Sequence, residues 1–220
     1  MLTTQPRHGR QFLRNFTLLV ACFLCLTAAA AGPKNILFLG DSITAGYGLE
    51  PASAYPALIQ EKIDAKHWPF KVINAGQSGD TTAGGLGRMD WLLKNRVDVL
   101  VVELGGNDGL RGLPADTTRK NLQAIIDLTR KRYPDAKIIL AAMRVPPNMG
   151  HDYAKKFDVI FAELAKKNKA ALIPFVLDGV GGVAALNQPD GIHPTAKGHE
   201  IVAANVWKVL EPILKPLATK

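Results

Sequence analysis

Short apolar runs and helical stripes alternate along this chain. Asn35-Ile36-Leu37-Phe38-Leu39 is a nearly continuous apolar run closed by Gly40, the pattern of a strand buried on both faces. From Ala54 to about Ala65, Leu58, Ile59 and Ile63 share one helical face, with Ser53 as the expected cap and Pro56 tolerated in the first turn. Phe70 to Asn74 reads as a second strand that ends in a loop, Ala75-Gly76-Gln77-Ser78-Gly79-Asp80. A helix weakened by its glycines is expected from Thr82 to Asn95. Val97 to Leu104 is the most apolar strand and is expected at the centre of the sheet, running into Gly105-Gly106-Asn107-Asp108. A helix over about 116–133, stopped by Pro134, precedes a fourth strand over 137–142. The loop 143–150 holds Pro146-Pro147, and Phe157, Ile160, Phe161 and Leu164 line one side of a helix over 151–169. A fifth strand over 171–176 leads into a long loop, 177–193. Pro194 is expected to open a last helix, to about Leu214, with Ile201, Val202, Val206, Val209 and Leu210 as its stripe. This alternation predicts an α/β fold of three layers, a five-stranded parallel sheet with helices on both faces and right-handed crossovers.

Composition changes the picture at the N-terminus. Arg7, Arg10 and Arg14 precede an apolar run, Phe16 to Leu26, and then Ala28-Ala29-Ala30-Ala31. That order is a secretory signal peptide over 1–31, with one domain over 32–220. The run is too short to span a membrane. Leu19-Val20-Ala21-Cys22 also resembles a lipobox, so a lipoprotein anchored at Cys22 is the alternative to a periplasmic or secreted protein. Both cysteines, Cys22 and Cys25, fall inside this leader, so the mature chain is expected to lack disulfides, a cysteine nucleophile and Cys-rich zinc sites. Losing the three leader arginines takes the formal charge from +8 to +5, spread over several segments. That excess favours solubility and at most peripheral membrane contact, and no nucleic-acid motif is present. At 47% apolar and 21% charged residues, the 220-residue chain reads as globular.

Candidate chemistry sits where strands end. In a parallel sheet the carboxyl ends of the strands share one edge, and ligands bind there. Ser42, just past the first strand, is the candidate nucleophile, and it needs a base. His193 is that candidate, and Asp190, three residues earlier, can orient its ring if the chain bends tightly. Backbone N–H groups of Ser42 and Gly79 and the side-chain amide of Asn107 are candidate oxyanion donors. Taken singly, each of these residues also reads as a turn or cap residue. Apolar residues crowd three of the loops: Leu110 and Leu113, Val145 to Pro147, and Val180 to Leu186. They form either an acyl-chain groove, with Leu110, Val145, Pro146 and Leu186 as substrate-binding candidates, or a satellite core beneath the loops.

Gly40-Asp41-Ser42, Gly79, Gly105-Gly106-Asn107-Asp108 and Asp190-Gly191-Ile192-His193 resemble, in order, the four motif blocks of the SGNH, or GDSL, hydrolases. The similarity covers about residues 34–214 and is strongest to the bacterial exported thioesterase, arylesterase and lysophospholipase branch. The resemblance implies a flavodoxin-like fold and a triad of Ser42, His193 and Asp190. It also implies an oxyanion hole from Ser42, Gly79 and Asn107, and neither cofactor nor metal. The expected activity is hydrolysis of ester and thioester bonds in small or lipid-like acyl substrates, with kcat/KM rising with pH through a single group. A carbohydrate O-acetyl esterase and a non-catalytic lipid or glycan binder are the alternatives. No serine lies in Gly-x-Ser-x-Gly and no loop ends in Gly-Lys-Ser/Thr. A metal site from Asp190, His193 and His199 is disfavoured, because residues six apart on a helix point to different sides.

Overall fold

A computed structural model describes Met1 and residues 32–219. The expected signal peptide over 1–31, with Cys22, lies outside the described residues. Five strands form one parallel sheet: β1 (Lys34–Gly40), β2 (Phe70–Gly76), β3 (Val99–Glu103), β4 (Lys137–Ala141) and β5 (Ala171–Ile173). Their order is β2-β1-β3-β4-β5. The expected centre is correct: β3 is the middle strand, and every one of its residues is buried.

The helices are α1 (Ser42–Ala45), α2 (Tyr55–Asp64), α3 (Thr82–Gly87), α4 (Met89–Leu92), α5 (Gly106–Leu110), α6 (Ala115–Arg132), α7 (His151–Asn168) and α8 (Ala196–Ala218). The chain steps one way from β1 to β2 and then reverses to reach β3. With right-handed crossovers, this reversal sends α2 to one face and α3, α6 and α7 to the other, and α8, which follows the last strand, lies beside α2. Accordingly α2 packs on α8, α3 on α6, and α6 on α7. The reversal also opens the sheet edge between β1 and β3, the switch point where this strand order binds ligands.

Several boundaries differ from the sequence expectation. Ser53 does not cap α2. It ends a 3-10 turn, Pro51–Ser53, and Ala54 stands at the cap without a side-chain hydrogen bond. The N–H of Tyr55 is instead satisfied by Nδ1 of His199, 3.0 Å away on α8. Helix 82–95 breaks at Arg88 into α3 and α4, because three glycines in six residues leave α3 little to pack. β3 is shorter than the apolar run 97–104, and β5 stops at Ile173, although Val176 is buried and its N–H still reaches Ala142 O at 3.2 Å. Pro194 does not open α8. Thr195 caps it, its hydroxyl accepting from Gly198 N–H at 3.3 Å, and the helix runs on to Ala218.

The sheet meets α1 through Gly76 at the end of β2. A Cβ there would lie 2.1 Å from the Ala45 nitrogen and 2.6 Å from the Thr44 carbonyl carbon, both backbone atoms. Gly76→Ala therefore pushes the whole turn off the sheet. Urea unfolding should report a loss of about 1–3 kcal/mol, the usual cost of overpacking.

Candidate active site

Gly40, the last residue of β1, pairs with Gly76 on one side and Glu103 on the other. The chain then bends into α1. Asp41 caps that turn, its Oδ1 accepting from Ile43 N–H at 3.0 Å. Ser42 is the first helical residue, so its N–H has no intrahelical acceptor. Gly46, at φ +75°, closes the turn in the left-handed region. From β2, the Asn74 amide donates to Thr44 O at 2.9 Å and holds α1 against the sheet.

The second strand of the site is a hairpin. Asn187 and Pro194 form an antiparallel bridge, Gln188 N–H donates to His193 O at 2.7 Å, and Thr195 N–H donates to Leu186 O at 2.9 Å. The bend at Gly191, φ +70°, brings Asp190 back onto His193. Asp190 Oδ1 accepts from the N–H groups of Ile192 at 2.9 Å and His193 at 3.0 Å, and Oδ2 lies 2.7 Å from His193 Nδ1. Those bonds, the His193 N–H first, lower the Asp190 carboxyl to about 2. His193 Nε2 is 2.9 Å from Ser42 Oγ. Ser42, His193 and Asp190 thus lie in one hydrogen-bonded series across a separation of about 150 residues in sequence.

Sequence reasoning missed two residues that hold this hairpin. The Tyr47 ring lies 4.6 Å from the His193 ring, centroid to centroid. The Gln188 amide donates to Tyr47 O at 2.7 Å and to Pro194 O at 3.1 Å, clamping the hairpin onto the turn after α1. Gly48 leaves room for the clamp, since a Cβ there would lie 2.5 Å from Gln188 Oε1. The available signals were weak: an aromatic between two glycines, and a Gln just before Pro189-Asp190.

The oxyanion candidates converge on the same edge. Gly79 sits at φ +82°, and its carbonyl accepts from the Arg111 guanidinium at 2.9 Å. The Asn107 amide donates to Asp80 O at 3.0 Å and to Asp41 Oδ2 at 3.1 Å. Asp41 is therefore tied to both the nucleophile turn and Asn107. Burial raises its carboxyl to about 6, against the pull of the Ile43 and Asn107 donors. Arg88 fixes the floor, its Nε 2.7 Å from Asp80 Oδ2 and its Nη2 donating to Gly40 O at 3.0 Å. Asp108 accepts from Thr82 N–H at 2.8 Å and from the Thr118 hydroxyl at 3.1 Å, tying the Asn107 turn to α3 and α6.

Other candidate residues fall elsewhere. His199 is in the core, with its Nδ1 engaged by Tyr55 N–H, apart from the Asp190–His193 pair. Among the apolar loop residues, Val180 is fully buried and belongs to the core, not to an open groove. Val145 and Leu186 are partly buried and pack on the core, and Pro146 is partly buried. Val145 abuts Gly109, one residue from Leu110, since a Cβ on Gly109 would lie 2.4 Å from its Cγ1. Leu110, 44% exposed, remains at the rim beside the Asn107 turn.

A serine, an imidazole and a carboxylate in hydrogen-bonded series at the switch point of a doubly wound sheet have the arrangement of an acyl-transfer hydrolase. The chain belongs to the GDSL-like Lipase/Acylhydrolase family, whose sequence profile matches residues 38–201. It is 40% identical over 199 residues to Esterase TesA of Pseudomonas aeruginosa, covering 90% of this chain and 98% of that protein. It is 37% identical over 190 residues to Thioesterase 1/protease 1/lysophospholipase L1 of Escherichia coli K12, covering 86% and 89%. The crystal structure of the psychrotrophic esterase EstA from Pseudoalteromonas sp., inhibited by monoethylphosphonate, superposes with a TM-score of 0.78. That match has 33% identity and covers 83% of this chain and 99% of that one. The protein is thus an SGNH-type hydrolase of the esterase and thioesterase branch.

Proposed function

We propose that this enzyme hydrolyses carboxylic esters and thioesters of lipid-like acyl substrates, lysophospholipids among them, through an acyl-enzyme on Ser42. The observation that carries the reading is the series Ser42 Oγ to His193 Nε2 at 2.9 Å and His193 Nδ1 to Asp190 Oδ2 at 2.7 Å. Ser42 Oγ attacks the acyl carbon as His193 Nε2 takes its proton. Asp190, ionised down to about 2, fixes the ring and stabilises the imidazolium. The oxyanion forms against the N–H groups of Ser42 and Gly79 and the amide of Asn107, which yields its contact with Asp80 O. His193 then protonates the departing alkoxide or thiolate, and water repeats the cycle on the acyl-enzyme.

Exposed apolar side chains flank the base and the Asn107 turn: Tyr47, Leu110 and Ile192. This supports an acyl chain as the substrate's recognised part and weighs against an acetylated sugar. The relatives named as esterase, thioesterase and lysophospholipase support the same class. We also propose that the protein is exported by its leader. N-terminal sequencing of protein from the periplasm should begin near Ala31 or Gly32.

The test is a panel of p-nitrophenyl esters, acyl-CoAs, lysophospholipids and acetylated sugars, with Ser42→Ala as the blank. Activity should rise with acyl length, each buried methylene adding up to ~0.8 kcal/mol. Preference for the acetylated sugars would overturn the reading.

The pH profile should depart from the single-group form expected of a lone histidine base. Asp41, raised to about 6, holds Asn107 only as the stronger, ionised acceptor. Its protonation weakens that hold, so kcat/KM should carry a proton dependence centred near pH 6 beside that of the base. Asp190 contributes nothing until about pH 2. Stability moves oppositely for Asp41: its folded-state value lies above the ordinary 3.8, so its contribution is fullest below 3.8 and is lost as pH rises through about 6. A single-group profile across pH 5–7 would contradict the Asp41 role.

A further inference from the structure

Glu103 ends β3 directly beneath the nucleophile turn, paired in register with Gly40, and it is fully buried. A buried carboxylate ordinarily has a cation beside it. Glu103 does not: among the described residues its ion-pair partners are nil, and Oε1 has no hydrogen-bond partner at all. Oε2 lies 2.7 Å from the Thr44 hydroxyl in α1, and that hydroxyl lies 2.7 Å from the Tyr55 hydroxyl at the start of α2. Tyr55 is fully buried and stacks on the His199 ring of α8 at 6.1 Å. Gly40 makes room for the chain of contacts, since a Cβ there would lie 2.0 Å from Thr44 Oγ1 and 2.9 Å from Glu103 Oε2.

The surrounding titratable groups favour a neutral Glu103. Asp41, from the turn above, is negative when it holds Asn107. Tyr55 from α2 is pushed well above its ordinary value by burial first and stays a neutral phenol, and His199 from α8 is lowered to about 4 by burial and supplies no positive charge at neutral pH. Arg88 is the nearby cation of the site, and its guanidinium is taken by Asp80 and Gly40 O. An ionised Glu103 would leave one bare oxygen beside a second carboxylate in the core. A protonated Glu103 leaves at most one neutral hydroxyl hydrogen unpaired, which is the smaller penalty.

We propose that Glu103 works as a neutral carboxylic acid, a positioning residue that with Thr44 and Tyr55 fixes the turn carrying Ser42 and leaves the negative charge beside the nucleophile to Asp41. The activity part of this proposal rests on the reading of Ser42 as nucleophile; the protonation part stands without it. Burial first, and then the charge of Asp41, hold the Glu103 carboxyl well above its ordinary value, against the Thr44 hydroxyl and the backbone N–H groups of Asp41 and Thr44. In the unfolded chain Glu103 ionises near its ordinary 4.5. Between that value and its folded one the native state binds the extra proton, so wild-type stability falls as pH rises. Glutamine has the neutral acid's shape and lacks that dependence.

The experiment compares wild type, Glu103→Gln, Glu103→Ala and Thr44→Val. Glu103→Gln should keep kcat/KM at neutral pH within about threefold of wild type, a small change in barrier. Its Tm should gain on that of wild type from pH 5 to pH 7. Glu103→Ala and Thr44→Val should lower kcat by roughly tenfold with KM little changed, as expected when the nucleophile is misplaced. If Glu103→Gln does not fold, carbon-13 NMR of wild type labelled at the glutamate carboxyls should show one resonance that stays protonated at pH 7. A fully ionised glutamate set, or a Glu103→Gln as impaired as Glu103→Ala with a pH-independent Tm gap, would overturn the proposal. Failure of the Ser42 assignment would show separately, as activity surviving in Ser42→Ala, and would leave the NMR and Tm results untouched.

Discussion

Ser42→Ala and His193→Ala should each lower kcat by roughly 10⁴-fold or more, and the double variant should lose little beyond either single one. The reason is geometric. Ser42 Oγ and His193 Nε2 are 2.9 Å apart and act as one unit, so removing either leaves a nucleophile without a base or a base without a nucleophile. Residual rate comes from the oxyanion donors and from binding. Neither side chain carries much of the packing. Ser42 is small, and His193 lies on a hairpin held by the Gln188 side-chain amide, which donates to backbone carbonyls, and by the Asn187–Pro194 bridge. Circular dichroism and Tm should therefore stay close to wild type while steady-state kinetics collapse. Additive losses in the double variant would mean that the two residues act in separate steps.

Asn107→Ala should lower kcat by roughly 10²–10³-fold, the usual cost of one lost oxyanion donor. The loss should fall on kcat with KM nearly unchanged, because the donor meets a charge that develops only in the transition state. The resting amide is held from both sides, by Asp41 Oδ2 at 3.1 Å and Asp80 O at 3.0 Å. The bond to Asp80 O has the ordinary length for a neutral carbonyl acceptor, and a developing oxyanion is the stronger acceptor, so it can compete for the proton that Asp80 holds. Asn107→Ala also leaves Asp41 no amide to hold, so the acid limb of the pH profile should lose its Asp41 contribution near pH 6. An effect confined to KM would place Asn107 in ground-state binding instead.

Much of this site is written locally in the chain. Gly40 ends an apolar run and Ser42 follows it, and the same strand-then-glycine pattern recurs before Gly79 and Asn107. A parallel sheet brings such ends together without further information. Asp190 and His193 are legible because their contact spans three residues and one tight bend. The residues that were misread depend on pairings across the fold. His199 reads only as a disfavoured metal ligand, yet it caps α2 from 144 positions away. Glu103 reads as the polar end of an apolar strand, and its partner Thr44 is 59 residues distant. Tyr47 and Gln188 meet across 141 residues. The helix start at Thr195 was misplaced because Pro194 satisfies the same local rule, while the bridge to Asn187 that takes Pro194 out of the helix is tertiary. Val180 decides between two readings of its loop: the aliphatic residues there read as an acyl groove or as a satellite core, and packing puts Val180 in the core.

The central claim is that Ser42 carries the acyl group. Peptide mass spectrometry after inactivation with an activated alkylphosphonate ester, which leaves a stable mimic of the tetrahedral intermediate, tests it most directly. The adduct should form stoichiometrically with loss of activity and map to Ser42, and Ser42→Ala should remain unlabelled. An adduct on another residue, or full inactivation with Ser42 unmodified, would contradict it.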